Sequence, residues 1–150
     1  MPRPHIEFIQ AQAVRWHTLG EDMSRPGAEA KPLSHDADSK AITAILRYPA
    51  GWYLEQDHHL DSDEELYVLS GTIVINGVSY EEGNYAYLPA GYPRHTMTSE
   101  AGADVMTFFE GPHKRVPGPA PDGFYDTTNL VQRIQTKSAE WGSATDPKVM

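Results

Sequence analysis

Two adjacent histidines, His58 and His59, follow Asp57 and precede an acid-rich run that includes Glu64 and Glu65. A third histidine, His95, comes after the turn Pro89-Ala90-Gly91. Imidazole nitrogens and carboxylate oxygens in these numbers can hold a divalent metal. Two imidazoles and one carboxylate leave coordination positions open, which suits oxygen chemistry at Fe(II), although the same donors accept Zn, Mn, Ni or Cu. Neighbouring residues on a strand point to opposite faces, so His58 and His59 cannot both face inward without a bulge, whereas Asp57 and His59 can. This favours His59, Glu64 and His95 as the inward metal set, with Asp57 as a fourth ligand or supporting partner. In the other register His58 replaces His59. Glu64, turned inward with Leu66 and Val68, is a costly buried charge that calls for a cation or a basic partner. It is also the candidate catalytic carboxylate, able to shuttle protons.

The elements that must position these groups read as short strands. Ile6 to Trp16 reads as one strand and a turn, and Glu21 to Ser39, rich in Pro, Gly, Ser and charge, as a loop. Ala41 to Tyr48 alternates, with Ile42, Ala44, Leu46 and Tyr48 on one face and Arg47 on the other. Trp52 to His59 follows as a strand, then a polar loop to Asp63. In the strand from Glu64 to Leu69, Glu64, Leu66 and Val68 share one face, and Glu65, Tyr67 and Leu69 the other. Thr72–Ile75, Asn76-Gly77 and Val78–Tyr80 form a hairpin signal, because both central positions of its turn need a positive φ. Further strands are expected over 84–88, 95–98 and 105–110. A Pro-rich connector then runs to Gly123, a last strand covers Leu130 to Thr136, and a loose tail begins at Gly142. Ile9-Gln10 and Trp16 share their spacing with Ile134-Gln135 and Trp141. A duplication, two similar strands on one sheet, or chance would each produce that.

Composition narrows the classes. At 150 residues the chain is most simply one domain with a real core. Twelve prolines and twelve glycines imply many turns and favour an all-β fold. A formal net charge of -9 disfavours nucleic acid and anionic membranes as partners. With no cysteine, neither disulfides nor a thiolate site is available. No apolar run suggests a signal peptide or a membrane span, so the expected location is cytoplasmic. Short strands separated by turns mean a sandwich or small barrel. No long helical period, phosphate loop or nucleophile elbow is evident.

The motif spacing resembles that of the cupins. Their first motif runs Gly, five residues, His-x-His, three or four residues, Glu, six residues, Gly. Here Gly51 begins it, and Glu64 and Gly71 finish it. Their second motif runs Gly, five residues, Pro-x-Gly, two residues, His. Gly83, Pro89 and Gly91 fit it, and His95 comes one residue late because Arg94 takes the usual histidine place. Counting five residues on from Gly51 reaches Asp57 and then His59. Counting back from Glu64 with the shorter loop reaches His58 and Leu60. The resemblance covers about residues 42–110 and implies a double-stranded β-helix, usually a homodimer, with a metal near the barrel mouth. The segments flanking that core, near Ile9 and Ile134, would be exposed edge strands and dimer contacts.

The length and the segment Met106 to Pro112 (MTFFEGP) also look similar to small acetylacetone-cleaving dioxygenases. What that implies is an Fe(II) dioxygenase that cleaves a C–C bond of a β-diketone-like small molecule. Trp52, Tyr85, Tyr87, Met97, Phe108 and Phe109 would either line its apolar pocket or simply form core. A metal-dependent isomerase, lyase or hydrolase fits the same barrel. So does a non-catalytic binding or sensing cupin, which the imperfect first motif supports. Relatives that act as zinc-bound regulatory modules carry an additional helical partner-binding segment, which is not evident in the sequence. Fold does not choose among the three.

Overall fold

The computed structural model describes residues 3–119, 127 and 129–143. After a single 3-10 turn at Ala11–Ala13, the strands are β1 (His17–Thr18), β2 (Glu29–His35), β3 (Ile42–Tyr48), β4 (Trp52–Leu54), β5 (His58–Leu60) and β6 (Glu64–Ile75). They continue with β7 (Val78–Glu81), β8 (Tyr85–Leu88), β9 (Met97–Ser99), β10 (Ala103–Phe109) and β11 (Arg115–Pro117), and the helix α1 (Leu130–Ser143) comes last. Nine strands make one curled antiparallel sheet in the order β1-β2-β3-β10-β6-β9-β4, with β7 and β8 also paired to β6. β5 and β11 form a separate pair.

β6 organises this sheet. Its first half pairs with β8 and β10 and its second half with β7 and β9. One strand can serve both sides because it bends at Gly71, whose φ is +75°. The pairing with β10 slips register between Asp104 and Val105, next to that bend. An extra residue in one strand turns the ladder and increases its twist. The alternation read from the sequence holds in this strand: Glu64, Leu66 and Val68 are buried, whereas Tyr67 and Leu69 are exposed. The hairpin also forms as expected, with φ of +53° at Asn76 and +81° at Gly77.

The inner faces of the strands build the core. Leu46, Tyr48, Trp52, Leu66, Val68, Ile73, Ile75, Leu88, Met97 and Val105 pack as one cluster. Each large apolar side chain withdrawn from water in this way contributes about 1.5–3 kcal/mol. The Tyr48 and Trp52 rings meet edge-on with centroids 4.7 Å apart, and the Trp52 indole donates to the Pro26 carbonyl at 2.8 Å. Trp52, Met97 and Phe109 are therefore core. Tyr85, Tyr87 and Phe108 point outward and are exposed, so they line no interior pocket.

Several expected elements are corrected. Ile6 to Trp16 forms a 3-10 turn and no strand, and the supposed loop from Glu21 to Ser39 contains β2, which pairs along β3. The strand expected from Trp52 to His59 divides into β4 and β5, and the Pro-rich connector contains β11. The expected last strand at Leu130 to Thr136 is the start of α1, in which Leu130 and Ile134, one helical turn apart, are half-buried. Ile9 and Ile134 consequently sit on no edge strand, and their matching spacings fold differently. The tail beyond residue 143 lies outside the described residues. Among those residues, no helix is long and apolar enough to cross a membrane.

Candidate functional site

The first-motif residues arrive on β5, which is held on both sides. β11 pairs with one edge. On the other, His58 and Arg94 exchange backbone hydrogen bonds, His58 N to Arg94 O at 3.1 Å and Arg94 N to His58 O at 2.8 Å. Residues paired in this way carry their side chains on the same face. Both face the interior, and each is 1% exposed. Leu60, two residues along the strand from His58, faces inward with it.

Glu64, at the start of β6, is buried opposite them. Its Oε1 accepts from Arg94 Nη1 at 2.6 Å and from Arg25 Nη2 at 2.7 Å, and its Oε2 accepts from Thr107 at 2.9 Å. Arg25 is completely buried. It also donates from Nε to the Tyr48 hydroxyl at 3.1 Å and from Nη1 to the Ser24 carbonyl at 3.1 Å. Burial works against the Glu64 charge, but the two guanidiniums outweigh it and hold the carboxyl below its usual range. Burial lowers Arg94, and Glu64 only partly offsets that, whereas in Arg25 the attraction of Glu64 and the Tyr48 contact prevail over burial.

The His58 imidazole has Nδ1 2.7 Å from the Gln56 carbonyl. A carbonyl only accepts, so Nδ1 carries the proton and Nε2 presents a lone pair. Burial pushes the pKa down to about 4; the Gln56 contact opposes this, while Arg25 and Arg94 add to it. His113, stacked on Phe109 with centroids 4.2 Å apart, is also lowered by burial. The folded-state values lie below the unfolded one near 6.5, so in acid the unfolded chain gains protons first. The stability tied to these two neutral rings is complete above about pH 6.5 and is lost below it, for His58 as the pH falls toward 4. Thermal unfolding followed from pH 7.5 to 4.5 should show the midpoint falling once the pH drops below about 6.5, with a shallower fall in His58→Gln.

The remaining candidates lie elsewhere. His95 follows inward-facing Arg94 and turns out. Its Nδ1 is 3.1 Å from Asp57 Oδ1, and the two side chains are 47% and 63% exposed. Its Nε2 is 3.4 Å from Thr127 Oγ1. His59 faces away from His58 and is half-buried. The structure thus buries His58 and Glu64, each against Arg94, and it does not gather His59, Glu64 and His95. Alternation was the right argument applied in the wrong register: Leu60, apolar, accompanies His58 inward, and the polar pair Asp57 and His59 takes the other face. Arg25 and Arg94 were missed as site residues. Arg94 at the second-motif histidine place was the available signal. Arg25 gave none, since only folding carries it 39 residues along the chain to Glu64.

This curled antiparallel sheet is the RmlC-like cupin fold. Residues 5–114 match the ChrR cupin-like domain model, and the chain belongs to that family. No curated protein matches the chain. Among solved structures, a protein from Nostoc punctiforme is 18% identical with a TM-score of 0.67, over 81% of this chain and 44% of that one. The chain thus spans less than half of that relative's length. An acetylacetone dioxygenase from Acinetobacter johnsonii is 15% identical with a TM-score of 0.61, over 76% of this chain and 87% of that one. A structure of Rhodobacter sphaeroides SigE in complex with the anti-sigma ChrR is 22% identical with a TM-score of 0.52, over 67% of this chain and 51% of that one. At these identities the likeness establishes the fold.

Cupins commonly bind divalent metals, and the side chains at the corresponding places can be tested for that role. His58 offers a suitable lone pair. Leu60 offers no donor, Arg94 offers a cation, and Oε1 of Glu64 is taken by two guanidiniums. Among the described residues, no three His, Cys, Asp or Glu side chains are grouped to hold a metal ion. A metal and two guanidiniums would compete for one carboxylate, so this donor set does not fit the metal.

Proposed function

We propose that this chain is a non-catalytic binding or sensing cupin, in which Arg25 and Arg94 supply the positive charge that a metal would otherwise bring to Glu64. The observation that carries this reading is the pair of buried guanidiniums at 2.7 and 2.6 Å from one carboxylate oxygen. The anti-sigma relative, whose structure is a complex with SigE, supports the sensing side. A dimer would need a surface other than the supposed edge strands. The outer face carrying Tyr67, Tyr85, Tyr87 and Phe108 offers apolar area for one.

Two measurements test this reading together. The thermal midpoint should be the same with a strong chelator and with added Fe(II), Zn, Mn or Ni. Oxygen uptake should be absent with Fe(II) and acetylacetone or other β-diketones. A midpoint that falls with chelator, or oxygen uptake that requires iron, would replace this reading with a second one. That second reading is a metal enzyme, favoured by likeness to the acetylacetone dioxygenase. It is an Fe(II) dioxygenase or, with activity that persists without oxygen, an isomerase, lyase or hydrolase. It requires Glu64 to release both arginines and to join His58 with His59, His95 or Asp57.

A further inference from the structure

We propose that the barrel interior binds a small hydroxyl-bearing carboxylate, such as a short 2-hydroxy acid or bicarbonate, between Arg94 and His58. This rests on the reading that Arg25 and Arg94, not a metal, accompany Glu64.

Arg94 spends Nη1 on Glu64, and its Nε and Nη2 are buried with no partner among the described residues. These two N–H groups belong to one planar guanidinium, whose fixed fork matches the two oxygens of a carboxylate. Leaving such buried donors unmet is costly, more so when they carry charge. The balance of charge points the same way. Arg25 and Arg94 bring two positive charges to the single negative charge of Glu64, and all three side chains are at most 1% exposed. One positive charge is left over in a closed interior, where an unpaired charge is strongly disfavoured. An anion both occupies the fork and cancels that charge.

His58 narrows the class. Its Nδ1–H is committed to the Gln56 carbonyl, and its Nε2 is buried without a partner among the described residues. Nε2 therefore needs a donor, which a simple carboxylate or a halide lacks and a hydroxyl provides. The backbone pairing of His58 with Arg94 puts both side chains on one face, where the ligand can reach the two together. Leu60 and Thr107, 1% and 0% exposed, help close the interior, so the ligand is small.

Isothermal titration of the full chain with glycolate, acetate, glycolamide and chloride at matched ionic strength tests the assignment. Glycolate should bind saturably at one site and about tenfold more tightly than acetate, because only glycolate offers Nε2 a donor. Glycolamide and chloride should bind weakly. In a folded His58→Leu variant the advantage of glycolate over acetate should vanish. The native ligand series decides the matter even if that variant does not fold. No saturable binding to the folded native chain, or equal affinity for glycolate, acetate and chloride, would overturn the proposal. Elemental analysis of the same batch separates the two possible failures. Bound metal would overturn the metal-independent reading and the anion with it, whereas neither metal nor anion would overturn the anion alone.

Discussion

Glu64→Gln should lower stability by about 3–5 kcal/mol, the cost of removing one partner from a buried ion pair and leaving the other charge uncompensated. Here two guanidiniums lose their counter-charge at once, since both approach the same oxygen of Glu64. The amide keeps the shape and can still accept hydrogen bonds, so the loss reports charge rather than volume. Urea unfolding followed by circular dichroism measures it. The triple replacement Arg25→Met, Glu64→Leu, Arg94→Met should recover much of the loss, because a well-packed apolar cluster is often as stable as the buried ion pairs that it replaces. A Glu64→Gln variant as stable as the native chain would show that the arginines do not depend on this carboxylate.

Gly71→Ala should cost at least about 3 kcal/mol, the range in which named steric mechanisms dominate. A Cβ at this position would lie 2.2 Å from the Gly102 carbonyl oxygen and 2.8 Å from Ala103 Cα, both in the backbone of the neighbouring strand region. The φ of +75° adds strain for any residue with a side chain. Backbone cannot move aside as the end of a long side chain can, so either the β6–β10 ladder opens or the bend in β6 is lost. That bend is what lets β6 pair with β8 and β10 along one half and β7 and β9 along the other. A midpoint in urea within experimental error of the native value would refute this account of β6.

The strands over Ile42 to Tyr48 and Glu64 to Leu88 were legible because their signals are local. Alternation along Glu64 to Leu69 survives in the buried and exposed pattern of β6, and Asn76-Gly77 marks its turn unaided. The Glu64 environment was half legible. A carboxylate on the same face as Leu66 and Val68 demands a cation, and the cation proved to be two arginines. Which residues supply them depends on contacts across 39 and 30 residues of chain, for which the sequence carries no period. Which of His58 and His59 faces inward was not legible, because strand alternation ranks pairs of residues and does not say which face is inside. The pairing of His58 with Arg94 decides that. The strand expected over Leu130 to Thr136 is the start of a helix, because its first residues, Leu-Val-Gln-Arg-Ile, suit either period over so short a run.

The most direct test of the central claim is elemental analysis of native protein purified without chelators, beside the double variant Leu60→His, Arg94→His. That variant writes two imidazoles into inward-facing places near His58 and removes one of the two guanidiniums that compete for Glu64. The account predicts far less than one transition metal per native chain, and about one per chain in the variant, whose three imidazoles and carboxylate make a full donor set. A native chain carrying a tightly held metal in equal number, lost in Glu64→Gln and His58→Ala, would contradict the claim that arginines stand where the metal would be.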